Sequence, residues 1–287
     1  MGQMLRIAVI QMKTGTSKEA DLLRAESFAA RAAASGADIA VLPEMFMCPY
    51  NTASFPLYAE YEDGMTVKCL SKIAAENGIY IVGGSIPERD AQGRIYNTSF
   101  VFDRAGRKIA SHRKIHLFDI DIEGRQTFRE SDTLTAGDRI TVFETEYGRM
   151  GLCICYDIRF PEIFRIMADM GVKAVFCPAS FNMTTGPMHW KLLFSARAVD
   201  TQAFMIGASP ASDPGSGYVS YGHSIVCDPW GRVIAQAAMD ETLLIADADL
   251  AQTDIVRAQI PVMRQRRPDI YICGPARGHG CAGEEQT

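Results

Sequence analysis

Three side chains with catalytic potential follow predicted strands: Glu44 in LPEMF, Lys114 in HRKIH and Cys155 in CICYDIR. A cysteine at a strand-to-helix turn lies close to backbone N–H groups, and these favour the thiolate, the nucleophilic form of the residue. A carboxylate can exchange protons, and a lysine can hold a positive charge beside a reacting group. In open α/β sheets ligands bind at the carboxyl ends of strands, so these three residues could share one site.

Each of the three also has an ordinary structural alternative. Cys155 could be one more buried cysteine, Glu44 a surface-loop acid and Lys114 a solvated charge. The sequence contains no G-x-S-x-G, P-loop, H-E-x-x-H or papain-like motif. The residue types and spacing therefore leave both interpretations open.

Hydrophobic periodicity predicts alternating strands and helices, which would place these residues. The strand leading to Cys155 is predicted in RMGLCICY, and a helix follows over 161–170, with Pro161 in its first turn and Gly171 just past its end. The other predicted elements are strands in LRIAVIQM, DIAVLPE, IYIVGGS, VKAVFCPAS and AFMIGAS, helices over 17–34 and in MTVKCLSKIAAENG and PMHWKLLFSARAVDTQ, and hairpins in NTSFVFDRAGRKIASHRK and GHSIVCDPWGRVIAQ.

The two halves of the chain resemble each other. The matching stretches, in the same order, are AVLPE with AVFCPAS, IVGGS with MIGAS, and VFDRAGRKIA with VCDPWGRVIA. D-x-x-G-R alone is a common hairpin turn, but three ordered matches favour a duplicated β-α-β-α-β-hairpin unit. Two such units predict an α/β fold, a four-layer α-β-β-α sandwich, as a single domain over residues 1–272. Residues 273–287 form a Gly-rich tail that we expect to be mobile.

Composition narrows the functional class. The formal net charge is −5 and the basic residues are dispersed, so nucleic acid is not an expected partner. No apolar run is long enough to span a membrane, and the N-terminal run is too short for a signal peptide, so we expect a cytosolic protein without membrane contact. The eight cysteines are scattered and do not cluster with the five histidines, which argues against a metal site.

Three motifs carry a resemblance to a known family. PEMF at 43–46, HRKIHLFD at 112–119 and CYDIRFPE at 155–162 resemble the signature regions of the nitrilase superfamily of carbon–nitrogen hydrolases. The likeness extends over nearly the whole chain. It implies an α-β-β-α fold and a Glu–Lys–Cys triad, here Glu44, Lys114 and Cys155. KIHLFDIDI, FNMTTGP and GASPASD resemble most the Nit2-type ω-amidases.

The resemblance also implies a mechanism of amide hydrolysis without a metal or organic cofactor. Cys155 would attack the amide carbonyl to form a thioester, and Glu44 would shuttle protons. Lys114 and the backbone N–H of Tyr156 would stabilise the oxyanion. Glu130, in TFRES, matches a second glutamate of such sites and could position Lys114 or the substrate amide, although alone it would be read as an exposed loop acid.

The implied partner is a small-molecule amide, a short 2-oxo acid amide such as α-ketoglutaramate or α-ketosuccinamate. Arg159 and Tyr50 are candidates for binding its carboxylate, but Arg159 could equally form a structural ion pair and Tyr50 an aromatic wall. The family likeness also implies a homodimer or higher homo-oligomer.

Several other functions remain open at this point. A deaminated-glutathione amidase, a nitrilase or an N-carbamoyl amidohydrolase would use the same triad. From a different class, the chain could be a catalytically silent binding subunit or a cysteine-rich metal protein. The intact triad argues against the former, and the scattered Cys and His argue against the latter.

Overall fold

A computed structural model describes residues 4–124, 126–272 and 274. The strands within them are β1 (Met4–Gln11), β2 (Ile39–Val41), β3 (Tyr80–Val82), β4 (Ile86–Arg89), β5 (Ile95–Phe102), β6 (Lys108–Arg113), β7 (Asp119–Ile122), β8 (Gln126–Arg129), β9 (Thr141–Thr145), β10 (Gly148–Leu152), β11 (Ala174–Pro178), β12 (Phe204–Ala208), β13 (Ile225–Cys227), β14 (Val233–Gln236) and β15 (Thr242–Asp249). The helices are α1 (Lys18–Ala34), α2 (Phe55–Tyr58), α3 (Met65–Asn77), α4 (Pro161–Asp169), α5 (Gly186–Thr201) and α6 (Ala251–Gln259). Apart from Gly274, the predicted mobile tail lies outside the described residues.

Two sheets carry the fold. The first has the order β15-β1-β2-β3-β5-β4, with β6 paired to β5, and the second has the order β14-β13-β12-β11-β10-β9. Each has a parallel centre, β1-β2-β3 or β10-β11-β12, flanked by antiparallel strands. Strands β7 and β8 form a separate two-stranded ribbon. Of the strands that precede the candidate residues, β2 and β10 lie in the parallel centres, whereas β6 is antiparallel to β5.

Three apolar clusters show how the layers pack. One lies between the first sheet and helices α1 and α3, and another lies between the second sheet and helices α4 and α5. The third lies between the sheets and contains Ile7, Val41, Leu152, Phe176 and other inward-facing side chains of both. The predicted α-β-β-α sandwich is therefore confirmed. Because the middle cluster draws on both halves, it supports the single domain over residues 1–272, which stays a prediction.

The predicted hairpin repeat has a detailed structural counterpart. Asp103 and Asp228 each accept hydrogen bonds from the backbone N–H groups two and four residues on, and each binds the Nε of the arginine four residues on at 2.7 Å. In both hairpins the strand register also shifts between the two residues that precede the aspartate. A third D-x-x-G-R turn, at Asp90, joins β4 to β5. The turn motif alone thus does not identify the duplication, whereas its place in the order of elements does.

The structure departs from the predicted elements around the cysteine. Strand β10 ends at Leu152, and a 3₁₀-helix, Cys155–Arg159, stands between it and α4. The structure also contains elements that the sequence pattern does not predict. Most of them are short and polar on one side, and contacts with neighbouring elements stabilise them. They are strands β4, β7, β8, β9 and β15 and helices α2 and α6. Among the described residues no helix has the length and apolar character required to cross a membrane.

Candidate active site

Four of the residues singled out in the sequence meet in one buried cluster. Lys114 follows the last residue of β6, and its Nζ lies 2.9 Å from Oε1 of Glu44 and 2.9 Å from Oε2 of Glu130. The side chains of all three are fully buried. Glu44 lies three residues past β2, and Glu130 begins a 3₁₀-helix directly after β8. Cys155 opens the 3₁₀-helix after β10 and interacts with Glu44. The structure thus brings together segments distant in sequence, as the strand-end pattern predicts.

Cys155 has an unusual backbone conformation. Its φ is +44°, in the left-handed region that residues with a side chain seldom adopt, and its thiol is buried. The backbone N–H of Ser180, just past β11, donates to its Sγ at 3.5 Å. A strained turn at a strand end that presents a sulfur to a neighbouring N–H is a typical arrangement for a nucleophile.

Burial and charge set the protonation of the cluster. Burial raises the pKa of Glu44, and although Lys114 opposes this, the second carboxylate, Glu130, adds to it. Burial alone would lower the pKa of Lys114, but Glu130 and Glu44 raise it well above its ordinary value. The pKa of Cys155 is raised by burial and by Glu44. At neutral pH the cluster therefore holds a charged lysine and a protonated thiol, and Glu44 beside them is more basic than an ordinary glutamate.

A buried aspartate joins the segments that carry Lys114 and Cys155. Asp157 accepts hydrogen bonds from Nε2 of His112 at 3.1 Å and from the backbone N–H and Nδ1 of His116 at 2.9 and 2.8 Å. Burial would raise the pKa of Asp157, but the bonds from these histidines hold it well below its usual range. The alternation of His112, Lys114 and His116 was the only sequence signal for this contact, and sequence reasoning did not use it.

Tyr50 lies inside the cluster and not at its mouth. Its hydroxyl is 2.8 Å from Oε1 of Glu130 and 3.3 Å from Oε1 of Glu44. Its ring packs against Phe55, Phe128 and Tyr218, with ring centroids 4.6 to 5.7 Å apart. The ring is therefore one of a group of packed aromatic side chains, and the single hydroxyl proton is directed at the two carboxylates.

Arg159 lies at the C-terminal end of the 3₁₀-helix that Cys155 begins. Its guanidinium lies over the rings of Tyr156 and Phe181 at 5.5 and 5.1 Å, and its Nη1 is 3.2 Å from Nδ1 of His189. Among the described residues, no carboxylate lies within salt-bridge distance of the Arg159 guanidinium. The structural ion pair, which was the alternative role for Arg159, is therefore not observed. A half-buried guanidinium with a buried, unbonded Nε is suited to an anion.

Tyr156 lies between the nucleophile candidate and Arg159. As the second residue of the 3₁₀-helix, it has its backbone N–H in the first turn, where such groups lack helical acceptors. Its ring contacts Phe118 and Phe160 edge-on, at 5.2 and 5.6 Å. The position suits an oxyanion donor beside Cys155.

A groove of about 990 Å³ lies elsewhere, between the edges β6 and β9. Two of its arginines, Arg113 and Arg149, are paired with Glu88 and Glu144. It contains none of the residues of the cluster, and its charges are compensated. In the described part of the chain, no group of three or more His, Cys, Asp or Glu side chains is arranged to hold a metal ion.

Comparison with known proteins places these features in a family. The sequence matches the family model of the carbon–nitrogen hydrolases over residues 6–258. Omega-amidase NIT2 of Mus musculus is 49% identical over 266 residues, covering 93% of this chain and 96% of the mouse protein, and the Homo sapiens protein of the same name is 48% identical with the same coverage. The structure of Nit3 of Saccharomyces cerevisiae, a member of branch 10 of the nitrilase superfamily, has a TM-score of 0.85 at 39% identity, covering 92% of this chain and 97% of that one.

Proposed function

Because the chain belongs to the carbon–nitrogen hydrolase family, we propose that it is an ω-amidase that releases ammonia from the terminal amide of short 2-oxo acid amides. Relatives named omega-amidase, at 48–49% identity over 93% of the chain, support this activity. The observation that carries the proposal is the buried cluster of Glu44, Lys114 and Glu130 beside Cys155.

In this proposal Cys155 is the nucleophile. Its thiol gives a proton to Glu44 as the sulfur attacks the amide carbonyl, forming a tetrahedral oxyanion. Glu44 then returns the proton to the nitrogen, ammonia leaves, and a thioester remains on Cys155. Water, deprotonated by Glu44, cleaves the thioester to the carboxylic acid and restores the thiol. The raised pKa of Glu44 suits a group that must both accept and return a proton near neutral pH.

Lys114 and Tyr156 stabilise the oxyanion in this scheme. Lys114 is charged and held by two carboxylates, so its ammonium group needs little reorganisation when negative charge develops. The backbone N–H of Tyr156 supplies a second donor at the start of the 3₁₀-helix. Loss of one such donor typically costs about 3 kcal/mol of transition-state stabilisation.

Glu130 holds the ammonium group of Lys114 in position, and the hydroxyl of Tyr50 holds the carboxylate of Glu130. One oxygen of Glu130 accepts the Tyr50 hydroxyl and the other accepts the backbone N–H of Phe118 at 2.7 Å. Burial raises the pKa of Tyr50 well above its ordinary value, so its hydroxyl remains a donor. We therefore propose that Tyr50 orients the carboxylates of Glu44 and Glu130, and that Arg159 binds the carboxylate of the substrate.

Ammonia release from α-ketoglutaramate and from deaminated glutathione, measured side by side, tests the proposed function. Strong preference for α-ketoglutaramate is the expected result. Preference for deaminated glutathione would replace the proposed substrate and keep the chemistry. Activity confined to a nitrile or an N-carbamoyl compound would overturn the ω-amidase proposal.

Replacing Arg159 with glutamine should raise KM for α-ketoglutaramate about 10- to 100-fold, the usual value of a charge-assisted hydrogen bond. The kcat should change little, because the guanidinium binds a part of the substrate that does not react. Butyramide, which has no carboxylate, provides the comparison, and its kinetics should be nearly unaffected. Arg165→Gln, in α4, is the matched control, since Arg165 faces Asp200. Equal losses on both substrates would contradict the assignment.

We propose that the chain forms a homodimer through α5. Met188, Leu192 and Val199 are spaced along one face of this helix, and their exposed fractions are 71%, 63% and 52%. Such a stripe on an exposed helix is typical of a surface that a second copy covers. Leu192→Glu should convert a dimer to a monomer in sedimentation analysis, whereas the same change at the isolated exposed Leu57 should not. A wild-type monomer would refute the proposal.

A cytosolic location is also proposed. The six cysteines in the described part of the chain are all free thiols, as is usual in a reducing compartment. Cell fractionation that recovers the protein with secreted or organellar markers would contradict it.

A further inference from the structure

Asn97 touches the cluster but was not indicated by any motif. It lies on β5 with its side chain fully buried, and its Nδ2 donates to Oε1 of Glu44 at 2.8 Å. Its backbone carbonyl accepts the N–H of Lys114 at 2.8 Å. One residue of the first sheet therefore contacts both the proposed base and the proposed oxyanion donor.

The two oxygens of Glu44 have different surroundings. Oε1 lies within hydrogen-bond distance of three donors, namely Lys114 Nζ at 2.9 Å, Asn97 Nδ2 at 2.8 Å and the Tyr50 hydroxyl at 3.3 Å. Oε2 is buried and has no hydrogen-bond partner. A proton added to a carboxylate goes to the oxygen that gives up the fewest hydrogen bonds, so Oε2 is the more basic atom.

We propose that Asn97 is a positioning residue that occupies Oε1 of Glu44 and so directs proton transfer to Oε2. It does this together with Lys114, and it fixes the carboxylate plane through a donor that carries no charge. The inference rests on the proposed role of Glu44 as the general base. It predicts that loss of the Asn97 donor affects proton transfer and not substrate binding.

The chemistry of the cluster explains why an uncharged donor suits this place. Glu44 already faces Lys114, Glu130 and the thiol of Cys155, and the hydroxyls of Tyr50 and Tyr218 lie near the same group. A second lysine would hold Glu44 too firmly ionised, and a further carboxylate would compete for the charge of Lys114. An amide donates a hydrogen bond without changing the net charge. The Oδ1 of Asn97 has no hydrogen-bond partner, so the side chain contacts the cluster through its amide nitrogen alone.

The test compares Asn97→Leu, which keeps the size and removes the donor, with Ser99→Ala. Ser99 is two residues along β5, so it lies on the same face of the strand, and it is also fully buried with an unbonded Oγ. In Asn97→Leu, kcat should fall about 10- to 100-fold with little change in KM. Because a donor to the ionised carboxylate is lost, the pKa of Glu44 rises and the acid limb of kcat/KM should move up by about one pH unit. Ser99→Ala should show neither effect.

Asn97→Asp keeps the shape and guards against a variant that fails to fold. Its carboxyl can donate to Oε1 only while protonated, so activity should be retained best at low pH and should fall as the pH rises. A folded Asn97→Leu with unchanged kcat and an unmoved acid limb would overturn the inference, and so would an Asn97→Asp profile that follows the wild type. Failure of the proposed function is distinct, since it would show as wild-type protein that releases no ammonia from α-ketoglutaramate.

Discussion

Replacing Cys155 with alanine should lower kcat by about 10⁴-fold or more, the scale found when an enzyme loses its covalent nucleophile. Cys153, the neighbouring thiol, cannot take its place. Cys153, two residues earlier, is fully buried in the apolar cluster beneath the site, and burial raises its pKa well above the ordinary value. The Cys155→Ala variant should still fold, because the substitution removes only the sulfur and the surrounding residues hold the backbone in place.

Cys153→Ala is the matched control for this result. It removes another buried sulfur from the segment just after β10, so it should cost stability and keep most of the turnover. Intact-mass analysis adds a direct measurement, because wild-type protein stopped during turnover should carry the acyl group and Cys155→Ala should not. Retention of turnover in Cys155→Ala would refute the mechanism whatever its effect on stability.

Replacing Lys114 with methionine should have the second largest effect, a loss of about 10³-fold in kcat, because it removes an oxyanion donor and disturbs the base together. Methionine has nearly the same length and no charge. Without the ammonium group, Glu44 and Glu130 become two buried carboxylates with no cation between them. Breaking a buried ion pair in this way typically costs about 3–5 kcal/mol in the free energy of unfolding.

The stability of Lys114→Met should also depend on pH in a defined direction. The Glu44 carboxyl, whose pKa is already raised by burial and by Glu130, would lose the opposing charge of Lys114, so its folded-state pKa would lie further above the unfolded value. The stabilising protonated form of Glu44 is present at low pH and lost as the pH rises through the folded pKa. Denaturant unfolding at several pH values should therefore show the variant closest to wild type in mild acid.

Lys108→Met provides the comparison on the same strand. Lys108 begins β6, is partly exposed and pairs with Glu62 at the surface, so its loss should change the free energy of unfolding by less than about 1 kcal/mol. A Lys114→Met variant that resembles Lys108→Met in kcat and in stability would show that the buried lysine is not needed for either.

Much of the site can be predicted from the sequence, because the hydrophobic pattern of an α/β fold shows where its strands end. Glu44 and Cys155 each follow an apolar run with β-strand character, Lys114 follows the second arm of a predicted hairpin, and the family motifs surround all three. The ordered internal matches predict the two sheets in the same way. These features are local in sequence, or repeated in it, and so leave a pattern.

The remaining parts depend on contacts between distant segments, and no periodicity marks them. Asn97 lies in the middle of an apolar strand, and only the pairing of β5 with its neighbours turns it toward Glu44. Asp157 is a single acid in a motif, and its histidine partners are more than 40 residues earlier. The sequence of β9 has no distinct strand pattern, and the strand is recognised only from its antiparallel pairing with β10. The sequence left Arg159 with two possible roles, a structural ion pair or binding of the substrate carboxylate. Only the side chains that surround its guanidinium in the structure distinguish them.

The pairing of β1 with β15 has a consequence for how the protein is made. These strands are antiparallel neighbours over eight residues, from Met4 opposite Asp249 to Gln11 opposite Thr242. Strand β1 is therefore synthesised long before β15, and the backbone groups on that edge of β1 stay unpaired until β15 has been made. Chains that terminate before residue 242 keep this edge of β1 open. Such fragments are expected to aggregate or to need chaperone protection, because an open apolar edge can pair with another chain.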